Sequence, residues 1–505
     1  MGIEFSRRTA LGSLAAGAAL GALASCGAGA VPKLSNYDSY ARSAKKNSWA
    51  LGWRSAPAAD LSTPEVKLVS GALPKGLTGT FYRNGPALFE RDGLRLNHWF
   101  GGDGMVHAYH VGDGKVAHKG RMVRTGKYVR EEKVGRFLVS AFGTKIESPG
   151  PISGPDDVNA ANTSVLPLGG ELLALWEGGS AYRLDDTTLE TIGAKTWAPE
   201  LKGMPFSAHP KVETDGTVWN FGQDAFGSRM IIYKISKSGK LAGMHLLKDV
   251  PAGMIHDFCM TKKHLIFVAP SFRAVQNADT FFGMFKWLPN ESQRVIVVEK
   301  DNLDNRREYD LPPGFQFHYG NAWEDKSGDI RFSVCTGDSG FIERGATALM
   351  RGETFDVNPA RLAHVVLRTN GSAKIESILD ERTTHEFPQF NTNFQGTDSR
   401  YLYTVGDQAK SGVGPMSILK HDLSSGNISS HNYGKHSLAE EHLFIPRRGA
   451  VREDDGWLVG TSLNLKSKAT RLNILNAAHL EDGPLAVLEL PYAVPLGFHG
   501  AWKGA

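Results

Sequence analysis

The sequence predicts an all-β fold whose many short strands are arranged radially, as in a propeller or a large barrel. Three observations carry this expectation. From about residue 60 onward, runs of roughly four to eight apolar or alternating residues recur, closed by Gly, Pro, Asn, Asp or Ser. Glycine is abundant, with 57 residues, and the pairs Asp113-Gly114, Asp215-Gly216 and Asp455-Gly456 are of the kind that tight hairpins use. His209, His256, His318 and His499 each sit in a distinctive phrase, although 47, 62 and 181 residues separate them. They can meet only if the fold gathers distant segments about one point.

Residues 1–30 read as a targeting segment to be kept apart from the fold. Ser6-Arg7-Arg8-Thr9 resembles the twin-arginine export signal, with Ala10 in place of the large apolar residue usual there. The apolar stretch 11–24 is shorter than the ~20 residues that span a bilayer. Leu23-Ala24-Ser25-Cys26 has the pattern of a bacterial lipobox, in which Cys26 is lipidated; cleavage after Ala28-Gly29-Ala30 is the alternative. Either reading sends the protein out of the cytoplasm to the periplasm, and lipidation would anchor it to a membrane.

Residues 31–505 read as one β-propeller domain. The segment 79–86 is a strand running into a turn, and 172–177 pairs with 181–184 across Gly178-Gly179-Ser180. Further strand candidates lie at 217–221, 264–269, 294–298, 330–334, 361–368, 401–405 and 457–461. No near-identical repeat is present. Seven blades of about 60 residues would use the chain, more than the ~40–50 of simple propeller repeats, so long inter-blade loops are expected. Residues 130–156 have little strand character and could cover one face. The stretch holding Phe281, Phe282, Met284, Phe285, Trp287 and Leu288 is either a buried turn packed on the propeller or an apolar patch at a membrane or tunnel mouth.

Charge excludes one class of partner. With 57 basic against 53 acidic residues and no long basic run, the concentrated positive footprint of a nucleic-acid binder is missing. A monomer is the default oligomeric state. Apart from Cys26 only Cys259 and Cys335 remain, too few for a disulfide framework even in an oxidising compartment. Cys259 lies three residues after His256, where strand alternation aims it at the opposite face as a small buried hydrophobe.

Neutral imidazole is the commonest ligand for a borderline transition metal, and four of them make a closed set of nitrogen donors. Any one of the four alone is more often an ordinary buried histidine; the joint reading rests on their phrases. These are Ser207-Ala208-His209-Pro210, Met254-Ile255-His256-Asp257-Phe258, Phe317-His318-Tyr319-Gly320 and Gly497-Phe498-His499-Gly500. His98 and His107 flank the Gly-Asp-Gly turn and serve local backbone groups; Asp103 stabilises that turn. His385 points to the other face of its strand, and His436, His442 and His479 read as surface or loop residues.

The phrases at 79–86, 99–107 and 177–179 resemble the carotenoid cleavage oxygenase family. So do His256-Asp257-Phe258, Glu386-Phe387-Pro388-Gln389 and the segment 497–500. The similarity runs in the family's order over the chain after about residue 60. It implies a seven-bladed β-propeller, with loops and short helices covering one face over a central iron site. There Fe(II), one per chain, would be held by His209, His256, His318 and His499. It also implies three carboxylates that orient the imidazoles, at Glu177, Glu386 and Glu441. Sequence does not say which serves which, and Glu440 adjoins the last.

The resemblance implies that O2 adds across one C=C bond of a conjugated chain, giving two carbonyl products, with no organic cofactor. An apolar polyene would need a tunnel; Trp176, Phe206, Phe317, Trp323 and Phe498, close in sequence to the site residues, are candidates to line it. Stilbene-cleaving members hold a phenolic hydroxyl with a lysine where this chain has Trp176, which favours a carotenoid or apocarotenoid over a hydroxystilbene. A reading from another class is a metal-free propeller that binds lipid or a partner. Twin-arginine export, which carries folded proteins, suits an enzyme that acquires its metal before leaving the cytoplasm.

Overall fold

The computed structural model describes residues 35–224, 228–275, 278–379, 383–407 and 412–505. The export segment and Cys26 lie outside them. Seven antiparallel sheets of four or five strands follow one another along the chain as the blades of a propeller, with two further two-stranded ribbons.

Blade 1 carries Gly79–Leu88, Asp103–Gly112 and Lys115–Met122. Blade 2 is Ser164–Leu168, Glu171–Leu175, Tyr182–Leu184 and Thr191–Ala194; blade 3 is Lys211–Val212, Val218–Asp224, Arg229–Ile235 and Leu241–Lys248. Blade 4 is Phe258–Met260, His264–Ala269, Gln293–Glu299 and Arg306–Leu311; blade 5 is Phe315–Glu324, Ile330–Gly337, Arg361–Leu367 and Ala373–Leu379. Blade 6 is Thr384–Gln389, Tyr401–Asp407, Ser417–Asp422 and Asn427–Asn432; blade 7 is Ser437–Pro446, Gly456–Asn464, Ala469–Asn476 and Pro484–Glu489.

Two exchanges of strands close the ring. Lys67–Gly71, from early in the chain, pairs with Pro484–Glu489 as the outermost strand of blade 7. Gly500–Gly504, from late in the chain, pairs with Gly79–Leu88 as the innermost strand of blade 1, and Asp60–Thr63 adds the outermost. Early and late segments of the chain are thus tied by backbone hydrogen bonds into each other's blades, which removes the seam at which a radial array would open.

The core lies between blades. In Gln293–Glu299, Val295 and Val297 pack against blade 5 residues such as Phe332 and Val365, while Ile296 and Val298 pack against Trp219, Phe221 and Ile232 of blade 3. Successive side chains leave opposite faces of a strand, so a strand buried on both faces needs an unbroken apolar run. That is why many blade strands read as continuous hydrophobic segments. Turn chemistry is equally local: Asp113 (φ 50°) and Gly114 (φ 73°) form the two-residue turn of a blade 1 hairpin. The segment 79–86 does not turn, however; the strand continues to Leu88, bulging between Pro86 and Leu88.

Loops gather over one face, as residues 130–156 suggested. A helix at Gly126–Val134 leads into an irregular stretch that brings Phe142 over the axis. Its anchor is a buried charge cluster in which the Lys127 ammonium donates to Asp103 (2.8 Å) and Glu131 (2.9 Å). Asp103 therefore does more than hold its turn. No helix among the described residues is long and apolar enough to cross a membrane.

Gly85 shows how tightly closure is built. A Cβ there would lie 2.3 Å from Cα of Gly497, so only glycine lets the first blade meet the segment bearing His499. Gly85→Ala is expected to cost about 1–3 kcal/mol of stability. It should also lower metal content, read together by thermal unfolding and elemental analysis.

Candidate metal centre and its cavity

Each blade contributes one polar side chain to the axis. His209 and His256 immediately precede the inner strands of blades 3 and 4, His318 lies within that of blade 5, and His499 precedes Gly500–Gly504 in blade 1. Glu386 and Glu441 sit in the inner strands of blades 6 and 7; Glu177 follows the second strand of blade 2. All four histidines are buried, and their candidate ligand atoms lie within 4.8 Å of one another. The Nε2 of His256 is 2.9 Å from that of His209 and 3.3 Å from that of His318, which is 3.0 Å from that of His499.

The glutamates assign the tautomers. Nδ1 of His256 donates to Glu177, Nδ1 of His318 to Glu386 (2.6 Å) and Nδ1 of His499 to Glu441 (2.9 Å). An ionised carboxylate only accepts, so with the glutamates charged the ring proton sits on Nδ1 and the Nε2 lone pair faces the centre. Lone pairs at such separations repel unless a cation lies among them. This neutral nitrogen set suits a borderline first-row dication, and the carboxylate behind each ring is how metal-bound imidazoles are usually oriented. His209 has no carboxylate partner among the described residues.

The adjoining acids divide their work. Glu441 accepts from His499, from the Gly500 N–H (2.7 Å) and from Gln389 (3.1 Å). Glu440 accepts from Arg83 and the Gly497 N–H, both at 2.7 Å, which ties blades 7 and 1 beside the centre. Asp257 binds Lys211 (2.7 Å) and the Tyr319 N–H (3.2 Å), linking three of the blades that bear histidines. Cys259 packs with Ile266 and Val268 away from the centre, and burial raises its thiol pKa well above the usual value. His442 is not a surface residue: it is buried, its Nδ1–H donates to the Glu440 carbonyl (2.8 Å) and its Nε2 accepts from the Tyr433 hydroxyl (2.9 Å).

Above the centre opens a largely apolar cavity of about 280 Å³. Of the aromatic residues expected to line it, Trp176, Phe317 and Phe498 do. Phe206 does not; it packs between blades 2 and 3 on Trp197 (4.7 Å between ring centres) and Tyr233 (5.2 Å). Trp323 is also outside the lining, because it lies near the far end of its ten-residue strand. Trp99, Phe100, Phe142, Phe315, Phe341, Phe387 and Thr163 also line the cavity. No sequence spacing connects these, although Trp99 and Phe100 sit inside a family-like phrase. Phe387 takes a left-handed φ of 53°, stacks on His318 and meets His499 edge to face, each 5.1 Å away.

The stretch 281–288 does not form a continuous surface patch. Met284 and Phe285 are buried against Phe272, Phe315 and Phe317, Phe282, Trp287 and Leu288 are half-buried, and only Phe281 is exposed, where it also lines the cavity. The backbone folds back on Phe272–Ala274, which turns Met284 and Phe285 inward.

A propeller with four imidazoles converging on its axis beneath an aromatic cavity defines a carotenoid cleavage oxygenase. The chain belongs to this family: a family model described as retinal pigment epithelial membrane protein matches residues 55–504. Apocarotenoid-15,15′-oxygenase of Synechocystis sp. is 31% identical over 484 residues, covering 91% of this chain and 97% of that protein. Resveratrol cleavage oxygenase 1 of Aspergillus fumigatus is 26% identical over 475 residues, covering 88% of this chain and 92% of that one. Among solved structures, cobalt-substituted Synechocystis apocarotenoid oxygenase matches with a TM-score of 0.80 and 29% identity, over 91% of this chain and 98% of that one.

Burial, reinforced by the neighbouring imidazoles, holds His209 and His318 well below the usual 6.5, so both stay neutral at neutral pH. Burial likewise lowers His98 to about 4 and His118 and His442 to about 3. Glu386 moves the other way, pushed by burial up to about 8. A dication on the far side of His318 would oppose that shift by strengthening the Nδ1–H donor.

Two outcomes follow. Unfolded histidines take up protons near 6.5 that the folded ones refuse, so their stabilisation is full above 6.5 and lost as pH falls towards 3. Glu386 has the opposite slope between 4.5 and 8 but is one group. The Tm of metal-free protein should therefore drop by at least about 5 °C between pH ~7 and ~5. Glu441→Ala should weaken metal affinity about 10–100-fold, measured by competition with a chelator, because His499 loses the acceptor that orients it.

Proposed function

We propose that the protein is an iron(II)-dependent dioxygenase that cleaves one C=C bond of a carotenoid or apocarotenoid into two carbonyl products. The observation that carries this reading is the convergence of four imidazole Nε2 atoms at one end of an aromatic cavity. Iron held by His209, His256, His318 and His499 would supply the activation of O2. The chain's own residues do the rest. Glu177, Glu386 and Glu441 keep the ring protons on Nδ1 and the imidazoles in place. Phe317, Phe387 and Phe498 line the cavity beside the histidine rings and present an apolar, water-poor surface to a conjugated chain.

The substrate class rests on two supports. The cavity wall carries indole at Trp176, next to Glu177, rather than a cation that would hold a phenolate. A relative at 31% identity acts, by its name, on apocarotenoids, whereas the resveratrol-cleaving relative is 26% identical. For the segment outside the described residues the proposal is export to the periplasm by a twin-arginine signal, with Cys26 as lipid attachment point. Membrane contact would then come from that lipid, with Phe281 at the cavity mouth reaching lipid-dissolved substrate.

Purified protein should contain one iron per chain, and His256→Ala should lose iron and activity together; full activity in that variant would overturn the reading. Incubated in air with an apocarotenal and, separately, a hydroxystilbene, the protein should cleave the apocarotenal at least ~10-fold faster in kcat/KM. Cleavage of the stilbene alone would reverse the substrate assignment. Fractionation of cells carrying Cys26→Ser should release the protein from membranes into the periplasm.

A further inference from the structure

His98 is fully buried, and three other segments of the loop-covered face meet on its ring. Its Nδ1 accepts from the Phe100 N–H (3.1 Å), capping the short helical turn Trp99–Gly101. Nδ1 is thereby the unprotonated nitrogen, so Nε2 carries the proton and donates to the Ile342 carbonyl (2.8 Å), 244 residues away. The ring packs on Phe100 (4.8 Å), Phe142 (4.7 Å) and Phe282 (5.3 Å). The last two segments are also joined by a hydrogen bond from the Phe282 N–H to the Phe142 carbonyl (2.8 Å).

What His98 holds is the cavity roof. Phe100, Phe142, Phe281 and Phe341 line the cavity, and each belongs to, or directly adjoins, a segment fixed by this ring. From the roof the contacts continue to the centre: Phe100 meets Phe317 (5.9 Å) and Phe498 (5.2 Å), and Phe317 meets His256 (5.1 Å). Loops covering a site are ordinarily its most mobile part, because few backbone hydrogen bonds cross between them. Here burial keeps the imidazole neutral, with one nitrogen accepting and the other donating, so a single side chain supplies both bonds.

We infer that His98 is a positioning residue: it locks the aromatic roof in one arrangement and so fixes which bond of the polyene lies over the centre. This rests on the polyene-cleaving reading above. With the lock released, the roof segments move independently, and a long apolar chain can slide along the cavity.

The test uses His98→Asn and His98→Phe in the full chain. Asparagine keeps the cap on Phe100 but gives up the Ile342 bond and the ring contacts; phenylalanine keeps a ring but neither hydrogen bond. Both variants should retain wild-type iron content. His98→Asn should show faster amide exchange at 140–144 and 341–345 with no change in the inner strand at 315–322. On an apocarotenal, kcat/KM should fall about 10–100-fold, mainly through KM, and cleavage should spread to neighbouring double bonds. His98→Phe should fall between wild type and His98→Asn in product spread. Unchanged exchange in the roof, or an unchanged product pattern, would overturn the inference. So would loss of iron in step with activity, which would make His98 merely structural. If the wild type cleaves no polyene, the proposed function fails, while the exchange measurement still decides whether His98 holds the roof.

Discussion

Everything at the axis depends on hydrogen bonds that run between blades. An imidazole on a strand end can rotate, and four placed around a point would turn their lone pairs away from one another. Carboxylates from blades 2, 6 and 7 prevent this by accepting hydrogen bonds from the Nδ1–H groups of His256, His318 and His499. The cost is electrostatic: lone pairs converge, and one carboxyl is held in surroundings that raise its pKa. Folding of the seven sheets supplies the energy that holds this arrangement. A cation relieves it.

Regular strands could not deliver these side chains. Inner strands of blades 5, 6 and 7 each break register at the site: between Gln316 and Tyr319 around His318, between Glu386 and Gln389, and between Ala439 and His442 around the two adjoining glutamates. A bulge inserts an unpaired residue and re-aims its neighbours. Glu440 and Glu441 both reach the segment 497–500 because their strand is bulged there; in a regular strand they would face opposite ways. The left-handed Phe387 is the same device seen in dihedral angles, a strained residue kept where it lies against two imidazoles.

The sequence revealed most where chemistry was carried by phrases and least where it was carried by space. The four histidines stood out because each sits in an unusual local context, and the blade strands because burial on both faces demands unbroken apolar runs. The pairing of glutamates with histidines was hidden, since it depends on which blades face each other across the axis. Phe206 and Trp323 were misplaced for a related reason: nearness along a chain is a poor guide to nearness in a propeller. Five residues of strand carry Trp323 about 16 Å from His318. The roof aromatics come from loops with no periodicity, and the ring that joins them, His98, read only as a local cap. The apolar run at 281–288 gave its composition but not its fold-back.

Ring closure also dictates an order of events during synthesis. Blades 2 to 6 consist of consecutive segments and can assemble as they leave the ribosome. His209, His256 and His318 can therefore be in place early, but the fourth imidazole lies 181 residues beyond the third, beside the strand that closes blade 1. A nascent chain can offer a metal only a partial set of donors. Full coordination of a cation would thus report that translation has passed residue 499 and that the first and last blades have joined, which would make the ion a checkpoint on the finished ring.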